Sequence, residues 1–185
     1  MLTPAEVAYL DQQRRQVSLG IRRHGCFVFY ISDADCECCR VTDGNRADRR
    51  ARARSSRRSA ASPPFAYTVG MHGVGHPEML VFGLAQEASR TLLTGLAHGV
   101  REHSRDLTVG DLVSAGPNEQ LKLLVEHLPN PGQILHQAND YYDRPPEASV
   151  EAVQLSWPDA AGHWPGDARC EGGAARQPRP GRFRA

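Results

Sequence analysis

"FAYTVGMHGVGHPEMLVFGL", residues 65–84, is the stretch on which the fold turns. Phe65, Tyr67 and Val69 alternate with Ala66 and Thr68, the period-two pattern of a strand. Met79–Phe82 is a short apolar run and reads as a second, buried strand. Between them Gly70–Glu78 carries three glycines, His72, His76 and Glu78. Gly73-Val74-Gly75 looks like a fragment of a phosphate-binding loop, but such loops hand over to a helix whose N-terminus holds the anion. A strand follows here, which argues against dinucleotide binding. His72 and His76 are four apart, yet Gly73, Gly75 and Pro77 exclude the helix that would align them as zinc ligands.

Two readings of this loop remain. It is a turn whose polar groups cap exposed backbone, or it is a site. Pro77 biases His76 toward an extended backbone, so His76 and Glu78 would project from one side of the chain. A carboxylate beside an imidazole tunes a general base or helps to bind a metal. On that reading His76 and Glu78 are the catalytic candidates. Tyr67, His72, Gly75, His76, Glu78, Trp157 and Asp159 are the candidate ligand-binding residues.

Outward from the loop, Thr3-Pro4-Ala5-Glu6 is a capping-box pattern with proline at the first helical position. Val7, Leu10, Val17 and Ile21 then recur at helical spacing, which predicts a helix over about residues 4–23, ended by Gly25. Cys26–Ile31 reads as a buried strand. Downstream, Ala88, Leu92, Leu96 and Val100, with Leu93 and Ala97 beside them, predict an amphipathic helix over about 85–103. Leu121–Leu128 is read as a strand closed by Pro129, Gly132–Asp143 as a short helix, and Val150–Trp157 as a late strand alternating at Val153, Leu155 and Trp157. The expectation is an α+β fold with a mainly antiparallel sheet, two or three helices, a disordered Arg-rich insertion and an irregular C-terminal tail. Residues 1–32 and 63–165 would form the single domain, 33–62 the disordered basic insertion and 166–185 the tail.

The insertion is the chain's compositional anomaly. The formal net charge of the whole chain is +1 and its mean hydropathy −0.49. Residues 46–58 alone hold seven arginines and one aspartate, so the remainder is mildly acidic. Residues 33–62 offer almost no large apolar side chain to offset their ordering entropy. Arg46–Arg58 would neutralise phosphates, a route to nucleic acid, but it lacks aromatics to stack on bases. A solvated basic loop is the alternative. "DCECCR" sets Cys36 and Cys39 at C-x-x-C spacing with Cys38 beside them. That is half a zinc site, and the other half has no diagnostic spacing. Incidental thiols and a redox pair are the other readings, and no metal or cofactor is favoured. Five cysteines, three of them crowded together, do not suggest a secreted disulfide framework. No apolar run reaches the roughly 18–20 residues of a membrane span, and the N-terminus has no signal-peptide pattern. The chain reads as cytoplasmic.

The core "FAYTVGMHGVGHPEMLVFGL" together with "VQLSWPDAAGHWP" resembles an uncharacterised bacterial family, domain-of-unknown-function family 4262, over about residues 20–165. The resemblance implies a small soluble bacterial domain, common in actinobacteria, with no established activity. Two departures stand out: some thirty residues replace the family's short loop before "FAYT", and the late segment reads "HWPGDARC". Tyr141-Tyr142 and Trp157-Pro158-Asp159 are core or rim aromatics, or part of a binding surface. No G-x-S-x-G elbow, Walker loop or H-E-x-x-H is present. The expected function is a binding module for a small molecule or protein. The alternatives are a small enzyme using the His72–Glu78 loop and a nucleic-acid-associated protein acting through the arginine segment.

Overall fold

The capping box forms as the sequence implies. Thr3 Oγ1 accepts from the N–H of Glu6, and the Glu6 carboxylate accepts from the N–H of Thr3 at 2.7 Å. Helix α1 runs from Pro4 to His24 and stops at Gly25, whose N–H bonds the carbonyl of Ile21. In this computed structural model, residues 3–32, 62–103, 105–116 and 120–183 are described. The expected basic insertion, with Cys36, Cys38, Cys39 and Arg46–Arg58, lies outside the described residues apart from Ser62.

After α1 come β1 (Phe27–Ile31), β2 (Phe65–Val69), β3 (Glu78–Phe82), helix α2 (Gln86–His103), β4 (Leu112–Ala115), β5 (Leu121–His127), helix α3 (His136–Tyr141), β6 (Ala152–Ser156) and a four-residue helix α4 (Gly173–Arg176). The six strands form one sheet in the order β1-β2-β3-β6-β5-β4. Every pairing is antiparallel except that of β3 with β6. The fold is therefore α+β with a mainly antiparallel sheet.

The period-two pattern sorts side chains onto two cores. Ala66, Met79, Val81, Val153 and Leu155 pack beneath α2, which buries Leu92, Leu93, Leu96, Ala97 and Val100. Phe65, Tyr67, Val69, Leu80 and Phe82 face the other way, against Val17 of α1 and Leu135 and Ala138 at α3. Both faces of the sheet are thus covered, which is why all five residues of β2, β3 and β6 are buried.

Three expectations need correction. Strand β4 carries no clear pattern in the sequence and is not among the expected strands; it is short, and its Leu112 is exposed. The segment read as one helix over Gly132–Asp143 is a 3-10 turn at Pro131–Gln133 followed by α3, because the chain turns at Ile134 and Leu135 to bury both side chains. The one-sided alternation of Val150–Trp157 belongs to a strand buried on both faces, where the amide of Gln154 donates to the carbonyl of Pro178 at 2.7 Å.

The C-terminal tail has little regular structure but is docked. Phe183 stacks edge-on against Phe65 and Phe82, with ring centroids 5.3 and 5.0 Å away. Gln177 is buried against Trp157. Among the described residues, no helix is long and apolar enough to cross a membrane.

Candidate functional site

The loop between β2 and β3 begins at Gly70, whose φ of +134° disfavours any side chain. A Cβ there would also lie 3.1 Å from the Cys26 Cα, the Gly25 carbonyl oxygen and the Ile21 side chain. A 3-10 turn follows at His72–Val74, and the N–H of Gly75 closes it on the carbonyl of His72 at 3.1 Å.

Glu78 is the first residue of β3, not a loop group, and is fully buried. Its Oε1 accepts from the N–H groups of Gly70 at 2.9 Å and His72 at 3.1 Å. Its Oε2 accepts from the Thr68 hydroxyl at 2.6 Å, and that hydroxyl accepts in turn from the N–H of Met79 at 2.9 Å. The carboxylate thus braces the loop from beneath. Burial pushes its pKa up, while the Thr68 hydroxyl and the N–H groups of His72, Gly70 and Met71 pull the other way.

His76 is buried, with Nδ1 2.7 Å from the carbonyl of Pro77, while Nε2 accepts from the N–H of Leu107 at 3.2 Å. The Leu107 bond requires an unprotonated Nε2, so the proton sits on Nδ1. Both ring nitrogens are therefore occupied, and the ring ties the loop to the chain leaving α2. The hydrogen bonds of His76 and Glu78 run to different partners. His76 and Glu78 thus serve as two separate anchors of the loop.

Tyr67 is fully buried beside the loop. Its hydroxyl donates to Gln137 Oε1 and accepts from the Gln137 N–H at 3.3 Å, and burial pushes its pKa far up. The His72 ring meets Tyr142 edge-on at 4.8 Å, and the Tyr142 hydroxyl accepts from the N–H of Gly73 at 3.3 Å. Burial, with the charge of Glu78 added, pushes Tyr142 up to about 12.

Trp157 and Asp159 lie at the other end of the sheet, beyond the C-terminal ends of β3 and β6. The Trp157 indole N–H donates to the carbonyl of Phe82 at 2.9 Å. Gln177 bonds both its backbone N–H and its carbonyl, at 3.0 and 2.8 Å, and the Arg176 guanidinium sits 4.5 Å above its ring. The Asp159 carboxylate accepts from the N–H groups of Glu171, His163 and Ala161 and lies 3.3 Å from His163 Nδ1. These bonds, that of Glu171 foremost, hold its pKa at about 2. Tyr67, His72, Gly75, His76 and Glu78 are thus gathered at one place, and Trp157 and Asp159 at another. Each of the two sets has its polar groups largely committed to the fold.

Open space lies elsewhere, beside the N-terminal half of α1. Between α1 and α3 is a cleft of about 590 Å³, bounded by Leu10, Val17, Phe29, Gln137, Asn139 and Tyr141. Arg14 and Asp143 bridge its rim with two bonds, of 2.8 and 3.2 Å, and Arg14 also donates to the carbonyl of Tyr141 at 2.9 Å. Asp143 sits at φ 52°, the one positive-φ residue other than glycine among the described residues. Of these lining residues only Tyr141 is considered for a binding surface from the sequence alone. Nothing in the chain's local pattern joins Arg14 to Asp143, because they are 129 positions apart. Among the described residues, no group of three or more His, Cys, Asp or Glu side chains is placed to hold a metal ion.

The family model that matches the chain is described as "Domain of unknown function (DUF4262)" and covers residues 20–171. No curated protein and no solved structure matches.

Proposed function

From the chain's membership of the DUF4262 family, which brings a fold without an assigned chemistry, we propose that this domain is a small-molecule binding module of the bacterial cytoplasm whose site is the cleft between α1 and α3. The observation that carries the reading is the cleft itself. At about 590 Å³ it falls within the size range of small-molecule sites. Its lining also mixes an apolar wall with a few convergent polar groups, the composition such sites have. The loop residues His72, His76 and Glu78 then act as the frame. Tyr67 fixes Gln137 on the cleft wall, and Tyr142 links the neighbouring Tyr141 to the His72 turn. Catalysis by His76 and Glu78 has less to support it, since both side chains already spend their hydrogen bonds inside the fold.

The test is native mass spectrometry of protein purified from its own host, beside a Gln13→Trp variant. Gln13 lies on α1 at the cleft margin, so the indole would fill the cleft without entering either core. A small molecule retained by the wild type and lost from the variant is the expected result. Retention of the same molecule by both, or a co-purifying protein in place of a small molecule, refutes the reading.

A further inference from the structure

The side-chain amide of Asn139 has its orientation fixed by chemistry. The N–H of Val150 can only donate, and it points at Oδ1 from 3.1 Å; the Ser149 hydroxyl donates to the same oxygen at 2.9 Å. The other end of the amide is therefore the NH₂ group. Asn139 is 3% exposed, and its Nδ2 is buried with no hydrogen-bond partner among the described residues. Buried donors are nearly always satisfied, and one left alone is destabilising. This one belongs to a residue that lines the α1–α3 cleft.

Gln137, on the same wall, repeats the arrangement. Its Oε1 is taken by the Tyr67 hydroxyl, whose own oxygen is taken by the Gln137 backbone N–H. With the phenol hydrogen on Oε1, the end of this amide that remains is the NH₂ group. The Asn139 amide thus has its acceptor consumed and its donor without a partner among the described residues, and Gln137 presents a second amide on the same wall.

We propose that the cleft takes an uncharged small molecule with a flat apolar body, which offers carbonyl oxygen to Asn139 Nδ2 and Gln137 Nε2. This rests on the reading of the cleft as a small-molecule site. The charges of the lining offer nothing to an anion: Arg14 is already spent on Asp143, which leaves Arg144 with Asp11 and Asp140 along the lining. Leu10, Val17 and Phe29 supply the apolar wall for the body of the molecule. Nδ2 is itself closed off from solvent, so the ligand oxygen reaches it with a small outward turn of the wall. Asp143 takes its left-handed conformation as the cap that ends α3, with the N–H of Arg144 on the carbonyl of Asn139 at 2.8 Å, and its paired bonds to Arg14 then close the rim.

The experiment is a ¹H–¹⁵N and methyl NMR titration of the full chain with three probes of matched size: benzamide, benzoate and benzylamine. Benzamide is expected to shift the side-chain NH₂ signals of Asn139 and Gln137 saturably, and to bind at least tenfold more tightly than the two charged probes. Asn139→Asp keeps the acceptor for Val150 and Ser149 and replaces only the NH₂ end, so it should weaken benzamide at least tenfold. Gln137→Glu makes the same exchange at a half-buried position and should weaken it at least fivefold. It carries the test if the aspartate variant does not fold. Benzoate or benzylamine binding as tightly as benzamide, with shifts at Val17 and Phe29, overturns the ligand class and leaves the small-molecule reading standing. An Asn139 NH₂ group whose cross-peak to a resident water persists at saturating benzamide also overturns it, because the water then satisfies the donor. If no probe moves any cleft signal, both fall together.

Discussion

Replacing Glu78 with alanine strips the loop of its brace. Two backbone donors lose their acceptor, the buried N–H of Gly70 and the part-buried N–H of His72, and the buried Thr68 hydroxyl loses its own. Each orphaned buried donor costs about 1–3 kcal/mol. Glu78→Ala should therefore destabilise the protein by roughly 3–5 kcal/mol in urea unfolding at pH 7. Glu78→Gln keeps one oxygen for the two N–H groups and loses only the Thr68 hydroxyl bond, so its cost should be about 1–2 kcal/mol. The pH dependence sharpens the test. Burial raises the folded pKa of Glu78. Between the unfolded value of about 4.3 and that raised value, the folded state holds a proton that the unfolded state has shed. The group's contribution is then fully present below about 4.3 and is lost as the pH rises through the folded pKa, at about 1.4 kcal/mol for each pH unit that separates the two values. The stability gap between wild type and Glu78→Gln should widen as the pH is lowered from 7 toward about 4.3. A loss under about 1 kcal/mol for Glu78→Ala would show that the carboxylate does not brace the loop. A gap that narrows on acidification would show that the N–H donors outweigh burial.

Gly70→Ala should cost at least about 2 kcal/mol in the same assay, because its φ is +134° and the new Cβ meets three neighbours at 3.1 Å; an unchanged unfolding midpoint would contradict that geometry. Asp159, held at about 2, contributes stability above its unfolded value of about 3.9, and that contribution disappears as the pH falls through about 2. The difference in Tm between wild type and Asp159→Asn should therefore shrink across that interval, and a difference constant with pH would refute it. The Cys26 thiol is buried and pushed up to about 11, by burial first and the charge of Glu78 second. Peptide mapping after iodoacetamide at about pH 8 should find Cys26 unmodified in the folded protein and modified in urea.

Where local pattern and tertiary demand agreed, the sequence was legible. The cap at Thr3, the alternation of Phe65–Val69 and the apolar stripe on α2 each belong to a structure that one segment can announce by itself. Strand β4 was hidden because its ladder partner, not its own composition, makes it a strand. Glu78 was legible as a residue of interest but not in its role. Its partners are backbone N–H groups of a turn, which leave no trace in side-chain identity. The cleft is harder still. Its walls come from α1, from Phe29 of β1 and from residues 137–145, and the donor left over at Asn139 arises only once Val150 and Ser149 have claimed the oxygen.

The parallel pairing of β3 with β6 has a kinetic meaning. Strands β1, β2 and β3 form one antiparallel group, and β4, β5 and β6 another. Among the described residues, the strand pairing that joins the two groups is this seam, where Glu78 pairs with Ala152 across α2, β4, β5 and α3. Each group assembles from contacts nearer in the chain, whereas the seam must close a long loop before its burial repays the entropy. Docking of the two halves along β3 and β6 is accordingly the step expected to set the folding rate, and in stopped-flow measurements substitutions at Leu80 and Leu155 should slow refolding more than they speed unfolding.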